Sequence, residues 1–364
     1  MIRFLQNDTR TPKRRAGVYC RGSVDAVCVA ITKAYQIKEG LNVNNLHDYA
    51  NVFDGIRPWA GKVPKGYLVD FLGILTDAKF RVMFGVDPGT TGGDAVQTRL
   101  PTIEDGEGWF EAVNWILAAR AARGRFVMVT LGACYGAQAV GSCRALQALN
   151  PMPYKLVAVE PEPDNYEWTR RHMRDNNIDP DDQWLVKSAI SASNEPVLFP
   201  IGSPGSGAQN CVATNEHRSR KIYADEIIAA GRSAEVLRNL MTTNNTGITK
   251  NLVPGENFPA EIKIVSAITL QDILSPFDVV DYLESDIQQS EILVFPPFMT
   301  LVKRKVRRVH IGTHGREVHN TLFQLFERDG WEIVFNYEPN SKFASKLGEF
   351  STNDGVLTAV NPDL

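Results

Sequence analysis

The apolar and polar positions between Phe126 and Glu160 fall into blocks that predict a complete βαβ unit. Phe126-Val127-Met128-Val129-Thr130-Leu131 is an almost unbroken apolar run, the pattern of a strand covered on both faces. Gly132-Ala133-Cys134-Tyr135-Gly136 follows as a tight turn with a glycine at each end. A helical pattern then runs from Ala137 to about Leu149 and stops at Asn150-Pro151. Leu156-Val157-Ala158-Val159 predicts a second strand, and it ends in an acid, Glu160. Glycines in such a turn let the backbone approach a ligand, and an acid at the tip of the second strand suits ribose hydroxyls. A dinucleotide fingerprint requires G-x-G-x-x-G, with the middle glycine making room for a pyrophosphate. Here the turn is G-x-x-x-G and Cys134 holds the middle position, which fits a cofactor without a pyrophosphate, such as S-adenosylmethionine. A βαβ turn with no ligand is the plain alternative.

The same reading extends to either side. Asp105 to Arg123 is predicted helical, with Trp109, Phe110, Val113, Ile116 and Leu117 on one face; Trp109 and Trp115 suit the core, and the helix could lie over the cofactor site. After Glu160, Asp164 and Glu167 have the spacing of a capping box for a helix that reaches about Asn176, with Asn177 ending it. Gln183 to Ile190 is expected as a third strand, with Ser188 and Ala189 at its end either holding an adenine or simply packing. Further strands are expected at Glu261 to Ile268, Asp278 to Glu284, Val306 to Gly312, Trp331 to Asn336 and Val356 to Val360. Helices are expected at Leu270 to Leu274 and Arg316 to Asp329. The fold class is therefore α/β and doubly wound, with a seven-stranded, mostly parallel sheet over 106–364. Residues 202–257, opening on Gly202-Ser203-Pro204-Gly205-Ser206-Gly207, read as an insertion and candidate lid, with a helix from Tyr223 to Met241.

Residues 1–105 do not fit the sheet pattern. Asp25 to Tyr35 suggests a short helix, Tyr67 to Leu75 is mixed, and Phe80 to Val86 alternates as a strand would. Gly89 to Gly93 lacks the Gly-Lys-Ser/Thr ending of a phosphate loop and reads as a turn. This accessory region is expected to cap the larger domain, shape its pocket or pair subunits.

Composition narrows the function classes. A chain of 364 residues implies two domains, or one with large additions, and 43% hydrophobic content supports a sizeable core. Thirty-nine basic against 42 acidic side chains, a net charge of -3, argue against a nucleic-acid surface. The five cysteines are scattered and form no C-x-x-C, which suits a reduced, cytoplasmic setting. Met1 to Arg15 has no apolar h-region, so no signal peptide is expected, and no apolar run is long enough for a membrane span.

Four stretches together resemble the FkbM family of S-adenosylmethionine-dependent methyltransferases, over roughly Gly124 to Pro362. They are Leu131 to Gly136; Val159-Glu160-Pro161, followed by a helix containing Arg171-His172 and Asn176-Asn177; Asp286-Ile287-Gln288-Gln289-Ser290-Glu291, close to the family's Asp-Ile-Glu/Gln-Gly-x-Glu; and Arg308 to His314, ahead of the helix leading to Gly330-Trp331. The chain departs from the family at Thr130, where an acid is usual, at Gln289, where a glycine is usual, and at Pro296-Pro297, which interrupts the helix after Glu291.

The resemblance implies a class I, Rossmann-like methyltransferase fold whose last strand pair is antiparallel. It implies methyl transfer to a hydroxyl of a small molecule, sugar or natural product. Gly132, Ala133, Cys134 and Gly136 would then line the methionine end of S-adenosylmethionine, with Thr130 also among the cofactor-binding residues, while Glu160 would take the ribose, and Ser188 and Ala189 the adenine. Asp286, at the ligand-binding edge of the sheet, would touch the cofactor and orient the acceptor or act as a base. His314 is the preferred general base, expected to titrate near neutrality, with His310 as a second candidate or a core residue. His172 suits packing, and Glu291 either structure or substrate binding. Cys134 is expected to line the site rather than attack. A divalent metal on Asp286 and His314 would need further oxygen ligands. The expected partner is a hydroxylated small molecule, not nucleic acid or membrane, and a homo-oligomer stays open. An NAD-type oxidoreductase and a non-catalytic cofactor-binding interaction protein are the competing classes.

Overall fold

The computed structural model describes residues 43–201, 204–205 and 261–364. The helices expected at Asp25 to Tyr35 and Tyr223 to Met241 lie outside these residues, as does the insertion apart from Gly202-to-Gly207 positions Pro204 and Gly205. At the centre is a seven-stranded sheet: β1 (Phe126–Leu131), β2 (Tyr154–Val159), β3 (Trp184–Val186), β4 (Tyr282–Ser285), β5 (Arg308–Thr313), β6 (Glu332–Tyr337) and β7 (Gly355–Val360). Its order is β6-β7-β5-β4-β1-β2-β3. Only β7 runs antiparallel to its neighbours, β5 and β6, while the other pairs are parallel. This is the expected doubly wound sheet with an antiparallel last pair.

All six residues of β1 are buried, and its alternation feeds two cores. Phe126 and Met128 face a cluster with Trp109, Phe110, Val113 and Ile116 of α1 (Glu107–Ala121) and with Val140, Cys143 and Leu146 of α2 (Ala137–Leu149). Val127, Val129 and Leu131 face the opposite cluster, which contains Leu322 and Phe326 of α4 (Arg316–Arg328). Burial on both faces explains the unbroken apolar run. The register places Leu131 beside both Val159 and Ser285. Three chain segments, those beginning Gly132, Glu160 and Asp286, therefore leave the sheet side by side at its carboxyl edge, between β1 and its two neighbours.

Several local expectations are corrected. The helix α3 (Pro163–Asp175) is capped not by Asp164 but by Glu162, whose carboxylate accepts the Asn165 N–H at 2.6 Å. Pro163, preset for the first helical position, puts the cap one residue earlier. At the far end Asn177 adopts φ 60, as a helix-ending Asn does. Gln183 to Ile190 is not one strand: after β3, Ala189-Ile190 turns away and pairs with Ala267-Ile268. The alternating Phe80 to Val86 segment is a 3-10 helix, Ala78–Phe84, because Asp77 accepts the Lys79 N–H and Gly85 closes it at φ 78. Only the side chain of Phe80 in that alternation is buried; Val82 and Phe84 are exposed. A hairpin the pattern did not reveal, Ser341–Ser345 with Gly348–Thr352, leads into β7.

Tyr67–Val69 and Leu75–Asp77 form an accessory hairpin held against α3. Asn176 bridges both backbone groups of Leu75 at 2.9 Å, and Arg171 pairs with Asp77 at 2.5 Å. Leu46, Phe53, Phe71 and Ile74 share the α1–α2 core cluster. No helix among the described residues is long and apolar enough to cross a membrane.

Candidate active site

The bend after β1 is built by close backbone approach. Gly132 has φ 80, and a Cβ there would stand 2.2 Å from the Asp286 carbonyl oxygen, so only glycine lets the exits of β1 and β4 touch. The N–H groups of Gly132 and Ala133 both donate to Val159 O at 3.0 Å. Cys134 follows in the left-handed region at φ 50. Its N–H donates to Glu160 Oε2 at 2.7 Å, and Glu162 N–H donates to Glu160 Oε1 at 2.9 Å. Glu160 thus faces the bend. Burial pushes its carboxyl up to about 8, against the opposing pull of the Glu162 and Cys134 N–H groups. From the other side α3 fastens the bend: the Thr169 hydroxyl donates to Cys134 O at 2.8 Å, and His172 Nδ1 lies 3.0 Å from Tyr135 O.

A cleft opens along this bend. Gly132, Cys134 and Glu160 line one wall, Ala189, Ile190 and Phe199 another, and Asp286, Ile287 and Gln288 the far end. Its mix of apolar wall with few polar groups suits a small organic ligand.

Five of the sequence candidates therefore meet in one cleft: Gly132, Cys134, Glu160, Ala189 and Asp286. The others sit around it. Ala133 is buried behind the bend, and Gly136 makes room for α3, since a Cβ there would lie 2.8 Å from Thr169 Cγ2. Thr130 is fully buried beneath the bend, its hydroxyl donating to Glu284 on β4. Ser188 faces outward, with its hydroxyl 2.7 Å from that of Ser266. His310 lies inside the sheet layer, with Nδ1 2.8 Å from the Thr358 hydroxyl and 3.2 Å from the Asn114 amide. Burial, helped by Arg308, lowers its pKa to about 3. It is a neutral core histidine. His172 is likewise buried, linking Tyr135 to Thr76.

The Asp286 end carries charge. Gln288 Nε2 donates to Asp286 Oδ1 at 3.0 Å and stands 2.7 Å from His314 Nε2. His314 Nε2 is 3.3 Å from Asp286 Oδ1 and 3.5 Å from Asp354 Oδ1. Burial would lower the His314 pKa, but Asp286, Asp354 and Glu291 outweigh it and raise it to about 10. The shift favours the protonated imidazole and runs away from the near-neutral titration the sequence suggests, while Nδ1 is buried without a hydrogen-bond partner among the described residues. Burial also raises the Asp286 carboxyl, with His314 opposing and Asp354 adding to the rise; 44% of that side chain still opens to the cleft. Glu291 closes the loop, its Oε1 accepting Ile287 N–H at 2.8 Å. Between them Gln288 and Gln289 hold left-handed backbones, φ 55 and 78, a conformation that glycine adopts without strain. Among the described residues no three His, Cys, Asp or Glu side chains gather as metal ligands.

Sequence reasoning did not single out Asn165, Phe199 or Asp354. The Asn353-Asp354-Gly355 stretch does mark a bend just before β7.

The strand order and the cleft define the class I methyltransferase architecture. No family model matches the chain, and no curated protein matches it. Among solved structures, it is similar to the methyltransferase FkbM from Methylobacillus flagellatus KT, at 11% identity and TM-score 0.34, over 72% of this chain and 56% of that one. The chain thus spans little more than half of that protein. It is similar also to an O-methyltransferase from Bacillus cereus in complex with SAH, at 10% identity and TM-score 0.34, over 78% and 91% of the two chains. A putative RNA methyltransferase from Pyrococcus horikoshii is matched at 9% identity and TM-score 0.31, over 72% and 91%. Likeness this distant says nothing about the reaction or the acceptor.

Proposed function

We propose that this protein is an S-adenosylmethionine-dependent methyltransferase acting on a hydroxyl of a small molecule. The observation that carries the reading is Glu160: its carboxylate is held against the glycine-pinned bend, beside a cleft that runs on to Asp286. The residues present fit the cofactor. Glu160 would accept from the ribose hydroxyls, Ala189, Ile190 and Phe199 would cover the adenine, and the bend at Gly132 and Cys134 would lie along the methionine end. When bound, the sulfonium supplies an electrophilic methyl group that needs little activation. The chain's own task is to align the acceptor and take its proton.

That proton goes to Asp286 in this reading. Its carboxylate opens to the cleft, and its raised pKa makes it a better base than a free carboxylate. As the acceptor oxygen bonds the methyl carbon, the carbon–sulfur pair stays on sulfur, and the O–H proton passes to Asp286. His314, already protonated, orients Asp286 rather than acting as the base. Cys134 takes no chemical part, because burial and the Glu160 carboxylate raise its thiol far out of the reactive range.

Calorimetry with S-adenosylmethionine and with NAD, followed by a methyl-donor turnover assay over hydroxylated metabolites and an RNA control, tests the reading. Binding of S-adenosylmethionine alone, with turnover on a hydroxylated metabolite, is expected. Binding of NAD alone overturns it in favour of the oxidoreductase class. Cofactor binding with turnover only on RNA removes the small-molecule acceptor.

A further inference from the structure

His314 Nε2 lies 2.7 Å from the Gln288 amide and faces two carboxylates at nearly equal range, Asp286 at 3.3 Å and Asp354 at 3.5 Å; protonated there, it has one N–H to share between them. Asp354 is held in place by its backbone. Glu107, in the first turn of α1, accepts the N–H groups of Asn353 and Asp354 through one carboxylate oxygen at 2.5 and 2.9 Å. The bend that carries Asp354 is thereby seated on the helix beside the cleft. The other charged groups around this cluster are Glu291 from the helix after β4, Glu111 on α1, Glu284 on β4 and Arg81 from the accessory region.

Charge balance gives the second carboxylate a purpose. Two carboxylates and one imidazolium sum to one negative charge. If Asp286 alone were within hydrogen-bond reach of His314 Nε2, protonating Asp286 would leave a largely buried imidazolium with only the more distant Glu291 to offset it, which is costly. With Asp354 present, the imidazolium keeps a partner while Asp286 takes a proton. We propose that Asp354 is a positioning residue for methyl transfer: it draws the His314 Nε2–H toward itself and frees Asp286 to accept the acceptor's proton. This inference rests on the methyltransferase reading for its purpose, though not for its geometry.

The test uses the full chain. Selectively labelled histidine and aspartate, followed by nuclear magnetic resonance, report the titration of His314 and Asp286, with His314→Gln and Asp286→Asn fixing the assignments. Asp354→Asn is expected to lower the His314 titration by one pH unit or more. It is also expected to lower that of Asp286, because His314 then pairs with Asp286 alone. Binding of S-adenosylmethionine, read by calorimetry, should change less than threefold. A residue that merely shaped the turn would leave both titrations in place, and that result overturns the proposal. Asp354→Ser serves if the Asn variant does not fold, and Asp354→Glu should restore the high His314 titration. Failure of the wild-type chain to bind S-adenosylmethionine would sink the methyltransferase reading while leaving the two titrations to decide the contact.

Discussion

Replacing Glu160 with Gln probes the centre of the site while keeping its shape. In the structure Glu160 Oε2 accepts from Cys134 and Oε1 from Glu162. Each oxygen has a second lone pair, which a ribose hydroxyl would use. The amide keeps one acceptor oxygen and loses the charge, so about one charge-assisted hydrogen bond to ribose is lost, roughly 1.5–3 kcal/mol. That corresponds to a Kd about 10- to 100-fold higher. The substitution also sets an amide NH₂ against a backbone N–H, so weaker binding alone would not identify the ribose contact. Calorimetry with S-adenosylhomocysteine and its 2′,3′-dideoxy counterpart separates the two effects. The wild type should favour the hydroxylated ligand by about 10- to 100-fold, and Glu160→Gln should bind both nearly alike. A variant that still discriminates like the wild type would refute the ribose role. The pH dependence has a fixed sign. Ribose hydroxyls favour the ionised carboxylate, whose pKa in the free site is about 8. Affinity should therefore weaken as pH falls below 8 and level off above it. Because this pKa is raised from 4.5, the stability linked to Glu160 is fully present below 4.5 and is lost as pH rises through 8. The rise in Tm on adding cofactor should be larger at pH 9 than at pH 6.

Other outcomes follow from individual contacts. Gly132→Ala places a Cβ against the Asp286 carbonyl at a positive φ; it should cost roughly 2–4 kcal/mol in denaturant unfolding and abolish cofactor binding, and a stable, binding variant would contradict the close approach. His310→Ala leaves Asn114 and Thr358 short of a partner and should cost about 1–3 kcal/mol, with calorimetry showing unchanged cofactor affinity; a large affinity loss would return His310 to the site. Cys134, with its thiol pKa raised by burial, should resist iodoacetamide at pH 8 until the protein is unfolded, as read by peptide mass mapping. Gln289→Gly should stabilise the protein by about 1 kcal/mol by relieving its left-handed backbone, net of glycine's chain entropy; a lower Tm would argue that the Gln289 side chain contributes more than its backbone costs.

The parts of the fold that could be read from sequence are those where one local rule decides. The run at β1 can only be a strand covered on both faces, and Gly132 to Gly136 with Glu160 gives both ends of the bend. Where two rules compete, the sequence misleads. Phe80 to Val86 alternates like a strand, yet the Asp77 cap and Gly85 make a 3-10 turn of it. Asp164 and Glu167 have capping-box spacing, yet Pro163 shifts the cap to Glu162. The charge on His314 was not legible at all, because it depends on Asp354, forty residues away, and on the enclosure of both side chains.

Thr130 shows the same limit from the other direction. Read along the chain, it is a missing acid just before the glycine bend. Read across the sheet, its register partner on β4 is Glu284, a buried carboxylate that accepts the Thr130 hydroxyl. A carboxyl group therefore does stand at that level of the sheet, supplied by the neighbouring strand. Burial and the nearby Asp286 raise its pKa well above the ordinary range, which favours its protonated form. Thr130→Val would remove the hydroxyl while keeping the shape, leaving Glu284 without that donor in a fully enclosed position. The variant should lose roughly 1–3 kcal/mol of stability in urea unfolding, with cofactor affinity unchanged because neither side chain lines the cleft. A substantial loss of affinity, with stability intact, would mean that Thr130 reaches the cofactor after all.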